Sequence, residues 1–262
     1  MDLYHNPEPA FTRWVRESQL LQEKFVVVDI GCQGGEHPRW GFLGDYLEFY
    51  GFDPIGEVIE KLRAEGRPHR NYLEIALGDE EGERDFFVSN NTFSSSFFGA
   101  GTEDLNGYPE IARGRRTVSM RRLDTLFDGR LVPPADYIKL DCEGFEPHIL
   151  RRARRYLKAA KPICVSTETG FNSTLGDLLA ILSEYDLRVF DVNVVRAPRP
   201  AYATAVAQQP WTEPDPLSEA PRLQVGSPGT LDVVFCQDFC TGAATETSPP
   251  DVDSLIKAMI NF

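Results

Sequence analysis

Apolar positions in this chain follow two rhythms. Short unbroken runs rich in β-branched residues alternate with stretches where apolar residues recur every three or four positions. The first rhythm marks strands buried on both faces, and the second marks helices with one face on a core. Strands are expected at KFVVVDI (24–30), YGFD (50–53), NYLEIAL (71–77), ADYIKLD (135–141), PICVSTE (162–168), LRVFDV (187–192) and TLDVVFCQ (230–237). Between and around them, helices are expected over about 9–22, 40–49, 57–66, 146–159, 173–184 and 251–260. Gly66 suits the end of the third of these, since glycine accepts the left-handed conformation of a helix C-terminus. Such alternation predicts an α/β fold, a mostly parallel sheet with helices on both faces, in a single domain over 1–262.

One region breaks the alternation. Over 79–128 the strand-like segments ERDFFVS and TVSMRRL flank NNTFSSSFFGAG, which offers little apolar core. An inserted hairpin over the active edge of the sheet is expected there, with 94–101 as a mobile lid. A second irregular stretch, 193–229, is long for a loop in a compact domain. It reads as a variable segment whose role the sequence leaves open.

Composition and charge narrow the partners. The 262 residues carry a net charge of −13, which disfavours a nucleic-acid backbone as ligand. No apolar run is long enough to span a membrane, and no basic-then-apolar leader opens the chain, so a cytoplasmic location is expected. Two basic clusters, Arg113/Arg115/Arg116 with Arg121/Arg122 and Arg151/Arg152/Arg154/Arg155, read first as solvated faces. The first also leaves an anionic acceptor open. Cysteines at 32, 142, 164, 236 and 240 form no CxxC pair, which argues against a zinc site or a disulfide framework.

The candidate chemistry lies at the ends of the strands. VVVDIGCQGG runs a strand straight into a glycine turn, where Gly31, Gly34 and Gly35 let a ligand approach the main chain. Gln33 occupies the place of the second glycine of a dinucleotide fingerprint, so nicotinamide binding, and with it an oxidoreductase, is the weaker reading. Asp53 ends the second strand about 20 residues further on, where a carboxylate can accept hydrogen bonds from both hydroxyls of a ribose. In KLDCEGFE, strand alternation would put Lys139, Asp141 and Glu143 on one side at a carboxyl end, and Glu146 at the start of the next helix. Glu168, ending STE, would approach the same edge. A plain Lys139–Asp141 ion pair is the structural alternative.

These motifs resemble the FkbM family of methyltransferases. VVVDIGCQGG is similar to that family's first motif, GFDP to its second, EIALGD to its third and YIKLDCEGFEPHIL to its most distinctive segment. RRLDTL and the serine-rich FSSSFF match as well, and the likeness covers roughly 25–170. The family more often has a small residue and Asn at Cys32-Gln33, and Glu at Asp53. The resemblance implies a Rossmann-like class I methyltransferase fold, a seven-stranded sheet with its last strand antiparallel. It implies S-adenosylmethionine held by Asp29, Gly31, Cys32, Gly34, Gly35, Asp53, Pro54, Ala76 and Leu77. The implied reaction is methyl transfer to a hydroxyl of a sugar, glycan or natural product. Asp141, Glu143 and Lys139 are then the candidate catalytic residues, and Ser94, Ser95 and Glu168 the candidate acceptor residues. A Mg²⁺ ion on Asp141, Glu143 and Glu168 is a further expectation. The expected partner is a small-molecule or glycan acceptor, with no nucleic acid, no membrane span, and homo-oligomer formation open to either answer. A cofactor-binding module without turnover is the alternative from another class.

Overall fold

The computed structural model describes residues 23–41, 43–89, 95–98, 113–170, 173–196 and 230–237. The expected leading helix, the terminal helix, residues 90–94 (with Ser94) and 99–112 of the first irregular segment, and 197–229 of the second lie outside the described residues. β1 (Phe25–Ile30) is followed by a short helix α1 (Pro38–Gly41) and by β2 (Leu47–Asp53). Helix α2 (Gly56–Ala64) leads to β3 (Arg70–Glu74) and the two-residue β4 (Ala76–Leu77). β5 (Gly82–Ser89), β6 (Arg113–Arg121) and helix α3 (Leu123–Asp128) form the irregular region. β7 (Tyr137–Leu140), helices α4 (Glu146–Arg151) and α5 (Arg154–Ala160), β8 (Cys164–Gly170), α6 (Ser173–Ser183), β9 (Leu187–Arg196) and β10 (Thr230–Gln237) complete the chain.

The seven-stranded sheet has the order β3-β2-β1-β7-β8-β10-β9. β10 runs antiparallel to both of its neighbours, and the pairs among β3, β2, β1, β7 and β8 are parallel. Chain order reverses between β1 and β7, so a crevice opens at their carboxyl ends, where open α/β sheets bind ligands. The runs that read as buried strands are buried: Val27, Val28, Ile138, Leu140, Val165 and Val233 are fully enclosed. One large apolar cluster packs Ile138 and Leu140 with helices α3 to α6, and a second packs Val27 and Phe49 with Trp40 and α2.

Several boundaries differ from the sequence reading. Residues 47–49 are strand and not helix, because Leu47 and Phe49 are fully buried while Glu48 between them is not. NYLEIAL divides at Ile75, and Ala76 and Leu77 leave the main sheet to pair with β6. The three strands β4-β6-β5 make a second sheet in which β5 and β6 are antiparallel. Gly78 permits this turn-off, since a side chain there would collide with Met120 of β6.

A further difference is that 146–159 is two helices. The backbone N–H groups of Arg155 and Tyr156 donate to Asp124 of α3, at 3.3 and 2.9 Å. A cap supplied from elsewhere in the fold satisfies the new N-terminus and makes the break affordable.

Candidate functional site

The glycine turn is shaped by backbone demands that only glycine meets. Gly31 has φ +86°, and a Cβ there would drive into the carbonyl oxygen of Asp141. Gly35 has φ +76°, and its Cβ would lie 2.7 Å from Leu62. The N–H groups of Gly31 and Cys32 both donate to the Phe52 carbonyl, at 2.9 and 3.1 Å, and the N–H of Gly35 donates to the Cys32 carbonyl at 2.7 Å. The turn is therefore locked to the end of β2 on one side and to the end of β7 on the other.

Asp53 ends β2 and is 5% exposed. One carboxylate oxygen accepts the N–H of Ile55 at 2.8 Å, which fixes the side chain at the mouth of the crevice and leaves the other oxygen for a ligand. Burial pushes this carboxyl up to about 6, against the lowering by the Ile55 N–H, with Asp29 raising it and Lys139 lowering it.

The Lys139 ammonium group donates to Asp29 at 3.0 Å and lies 3.6 Å from Asp141. Its principal partner is thus Asp29, opposite it in the β1–β7 register, and not Asp141 as strand alternation suggested. Burial would lower the ammonium pKa, but the two carboxylates and the hydrogen bond to Asp29 outweigh it and raise the pKa.

β7 ends at Leu140, so alternation does not deliver Glu143 to the site. A turn over 141–144 does, with Glu143 itself left-handed at φ +53°. That turn is held from three directions. The Asp141 N–H donates to the Ile30 carbonyl at 2.9 Å. One carboxylate oxygen of the fully buried Glu146 accepts the N–H groups of Cys142 and Gly144, at 2.7 and 3.3 Å. The Ser96 hydroxyl donates to the Glu143 carbonyl at 3.2 Å. Burial raises the Glu146 carboxyl to about 7, the hydrogen bonds it accepts notwithstanding. Burial likewise raises the thiols of Cys32 and Cys142.

The glycine turn, Asp53, Lys139 and the acid turn border a cavity of about 270 Å³. Asp29, Gly31, Cys32, Gly34, Gly35, Asp53, Pro54, Ala76, Leu77, Lys139, Asp141, Glu143 and Ser95 line it. Glu168 does not line it. It stays within β8, where Asp232 of β10 is its partner in register. The expected three-carboxylate metal site does not form, and no group of three His, Cys, Asp or Glu side chains converges for a metal among the described residues.

The basic clusters are taken up by acids. Arg115 pairs with Asp85, Arg116 with Glu57, Arg121 and Arg122 with Glu81, and Arg151 with Asp177. The sequence reading missed Ser96, Phe86 and Phe97. The repeated serines and flanking aromatic residues of FSSSFF hint at Ser96 and Phe97, and the aromatic pair of ERDFFVS at Phe86.

A parallel sheet with this strand order, closed by an antiparallel strand and opening its crevice beside a glycine turn and a β2 acid, defines the class I methyltransferase fold. The Methyltransferase FkbM domain profile matches residues 37–189, more than half of the chain, and the chain belongs to that family. It is an S-adenosylmethionine-dependent methyltransferase. The matched span contains the acid turn, and the glycine turn lies just before it.

No curated protein matches the chain in sequence. Similar solved structures include the precorrin-6y C5,15-methyltransferase of Geobacter metallireducens, at 13% identity and TM-score 0.41, covering 87% of each chain. The precorrin 8w decarboxylase of Methanobacterium thermoautotrophicum has 14% identity and TM-score 0.39, covering 89% of this chain and 92% of its own. A Burkholderia thailandensis 1,6-didemethyltoxoflavin N1-methyltransferase, solved with S-adenosylhomocysteine bound, has 10% identity and TM-score 0.37, covering 87% and 78%.

Proposed function

We propose that this enzyme is an O-methyltransferase acting on a hydroxyl of a sugar, glycan or natural-product acceptor. The observation that carries the reading is that Asp141 and Glu143 open onto the same cavity as the glycine turn and Asp53. S-adenosylmethionine supplies an activated methyl carbon on a sulfonium. The acceptor oxygen forms the new C–O bond as the C–S bond breaks, and the sulfur leaves as a neutral thioether. The chain's work is to align the hydroxyl and to accept its proton. Asp53 holds the ribose hydroxyls, and the turn at 31–35 receives the amino-acid end of the cofactor. Asp141 or Glu143 takes the proton, and Lys139, 3.6 Å from Asp141, orients that carboxylate.

The test is transfer of labelled methyl from S-adenosylmethionine to a panel of sugars, glycosides and hydroxylated polyketides. D141N and E143Q are expected to stay folded and each to lose roughly 10²–10⁴-fold in turnover. Full turnover in both variants overturns the assignment of these acids. Donor binding without transfer to any hydroxyl acceptor favours a module that holds the cofactor and does no chemistry.

A further inference from the structure

Among the described residues, His69, Arg130, Glu143, Lys161 and Asp186 take left-handed backbone angles without being glycine, and of these Glu143 alone lines the cavity. Side chains disfavour that conformation, and it persists where the surroundings over-determine it. At Glu143 the surroundings come from the second sheet. Segment 95–98 is fastened to β5, because Ser96 and Phe87 exchange both of their backbone hydrogen bonds, at 2.9 and 3.1 Å. Ser96 is 1% exposed. Its hydroxyl accepts the N–H of Phe98 at 3.2 Å and donates to the Glu143 carbonyl at 3.2 Å, so its direction is fixed. The next two residues hold the exit of the acid turn, with ring centroids of Phe97 and Phe98 at 4.8 and 5.7 Å from that of Phe145. Phe145 also stacks on His148 at 4.6 Å, and His148 is tied at 3.0 Å to Asp79, which lies between β4 and β5.

Resting on the reading above that Glu143 can take the acceptor's proton, we infer that Ser96 is a positioning residue for that carboxylate. The carbonyl of Glu143 and the N–H of Gly144 belong to one peptide unit. Ser96 holds its carbonyl, and Glu146 holds its N–H at 3.3 Å. Gly144, at φ +96°, has no side chain to oppose rotation of that unit, so these two bonds set its plane. The plane in turn sets the backbone angle at Glu143 and the direction in which its side chain leaves the turn. Misplacing a reacting group by about 1 Å can cost on the order of 10²-fold in rate. Ser96 touches neither donor nor acceptor in this role. It acts through Glu143, and the second sheet is the frame from which it does so.

The test uses the full chain with S96A, S96C and the double variant S96A/E143Q. S96A is expected to lose about tenfold in kcat on the same acceptor panel, with the KM for S-adenosylmethionine unchanged. S96C, whose thiol is a weaker donor of similar size, should fall between S96A and the wild type. The double variant should be no slower than E143Q, since residues acting as a unit do not lose additively. Calorimetry should give S96A the wild-type affinity for S-adenosylhomocysteine. Hydrogen exchange at the Gly144 amide should quicken about tenfold in S96A, while that of Val28 in β1 stays as it was, a readout that needs no acceptor. Equal exchange at Gly144 in S96A and wild type overturns the inference. So does a loss in S96A that adds in full to that of E143Q, the mark of a general loss of stability. The two readings fail separately. Full turnover in E143Q removes Glu143 as proton acceptor, whatever S96A does. If E143Q loses turnover and S96A does not, only the role of Ser96 falls.

Discussion

Asp53 has opposite effects on folding and on binding. In the folded protein its carboxyl titrates near 6, above the ordinary carboxylate range, because it is buried. The empty fold therefore holds the proton more tightly than the unfolded chain does. It gains stability as pH falls from about 6 towards 4 and loses it as pH rises through that window. On the proposal that Asp53 accepts the ribose hydroxyls in its ionised form, affinity for S-adenosylhomocysteine should be flat above about pH 7 and weaken as pH falls below about 6, approaching tenfold per pH unit. Titrations from pH 5 to 8 test this, and in D53N the slope should vanish along with about 1.5–3 kcal/mol of binding. An unaltered slope in D53N would assign the titration to another group.

Between elements, the pair Asp29–Lys139 joins β1 to β7 in the middle of the sheet. Removing Lys139 leaves the buried Asp29 carboxylate uncompensated, at about 3–5 kcal/mol. Removing Asp29 leaves Lys139 part-exposed and 3.6 Å from Asp141, and replacing both with apolar groups is often close to neutral. K139M should lower the melting temperature sharply and D29L less, and the double variant should recover most of the K139M loss. Additive losses in the double variant would mean that the two side chains do not act as a pair. Asp124 ties α3 to the start of α5, and D124A should cost about 0.5–2 kcal/mol in thermal unfolding with cofactor affinity unchanged.

These contacts also mark what the sequence could reveal about the elements. Buried valine-rich runs and glycine punctuation are local signals, so β1, α2, α6 and β10 are legible, and so are the glycine turn and Asp53. The break between α4 and α5 depends on a carboxylate about 30 residues away in the chain, and no window over 146–159 contains it. Glu143 reaches the cavity through a left-handed turn, a geometry that strand alternation does not contain. Ser96 differs from Ser94 and Ser95 only through the bonds it makes in the fold.

Over the whole molecule, the order of strands was readable and their stitching was not. β10 lies far along the chain from β9 yet inserts between β8 and β9, a long-range pairing that forms slowly because its loop must close first. The cavity unites residues from five strands and the turns after them, so it exists only once that assembly is complete.

The charges on its walls carry a further consequence. Asp29, Glu36, Asp53, Asp141 and Glu143 face the cavity with Lys139 as the only lysine or arginine among its lining residues, and Glu36 is itself paired with Arg70 outside. Such a vessel prefers a guest with a positive centre. The donor arrives as a sulfonium and, once its methyl has gone, departs without that charge. The walls that favoured its entry then have less hold on it, and product inhibition should be mild. S-adenosylmethionine should bind more tightly than S-adenosylhomocysteine, and raising the salt from 0.05 to about 0.5 M should narrow the gap. Equal affinities at low salt would show that the cavity does not distinguish spent donor from fresh.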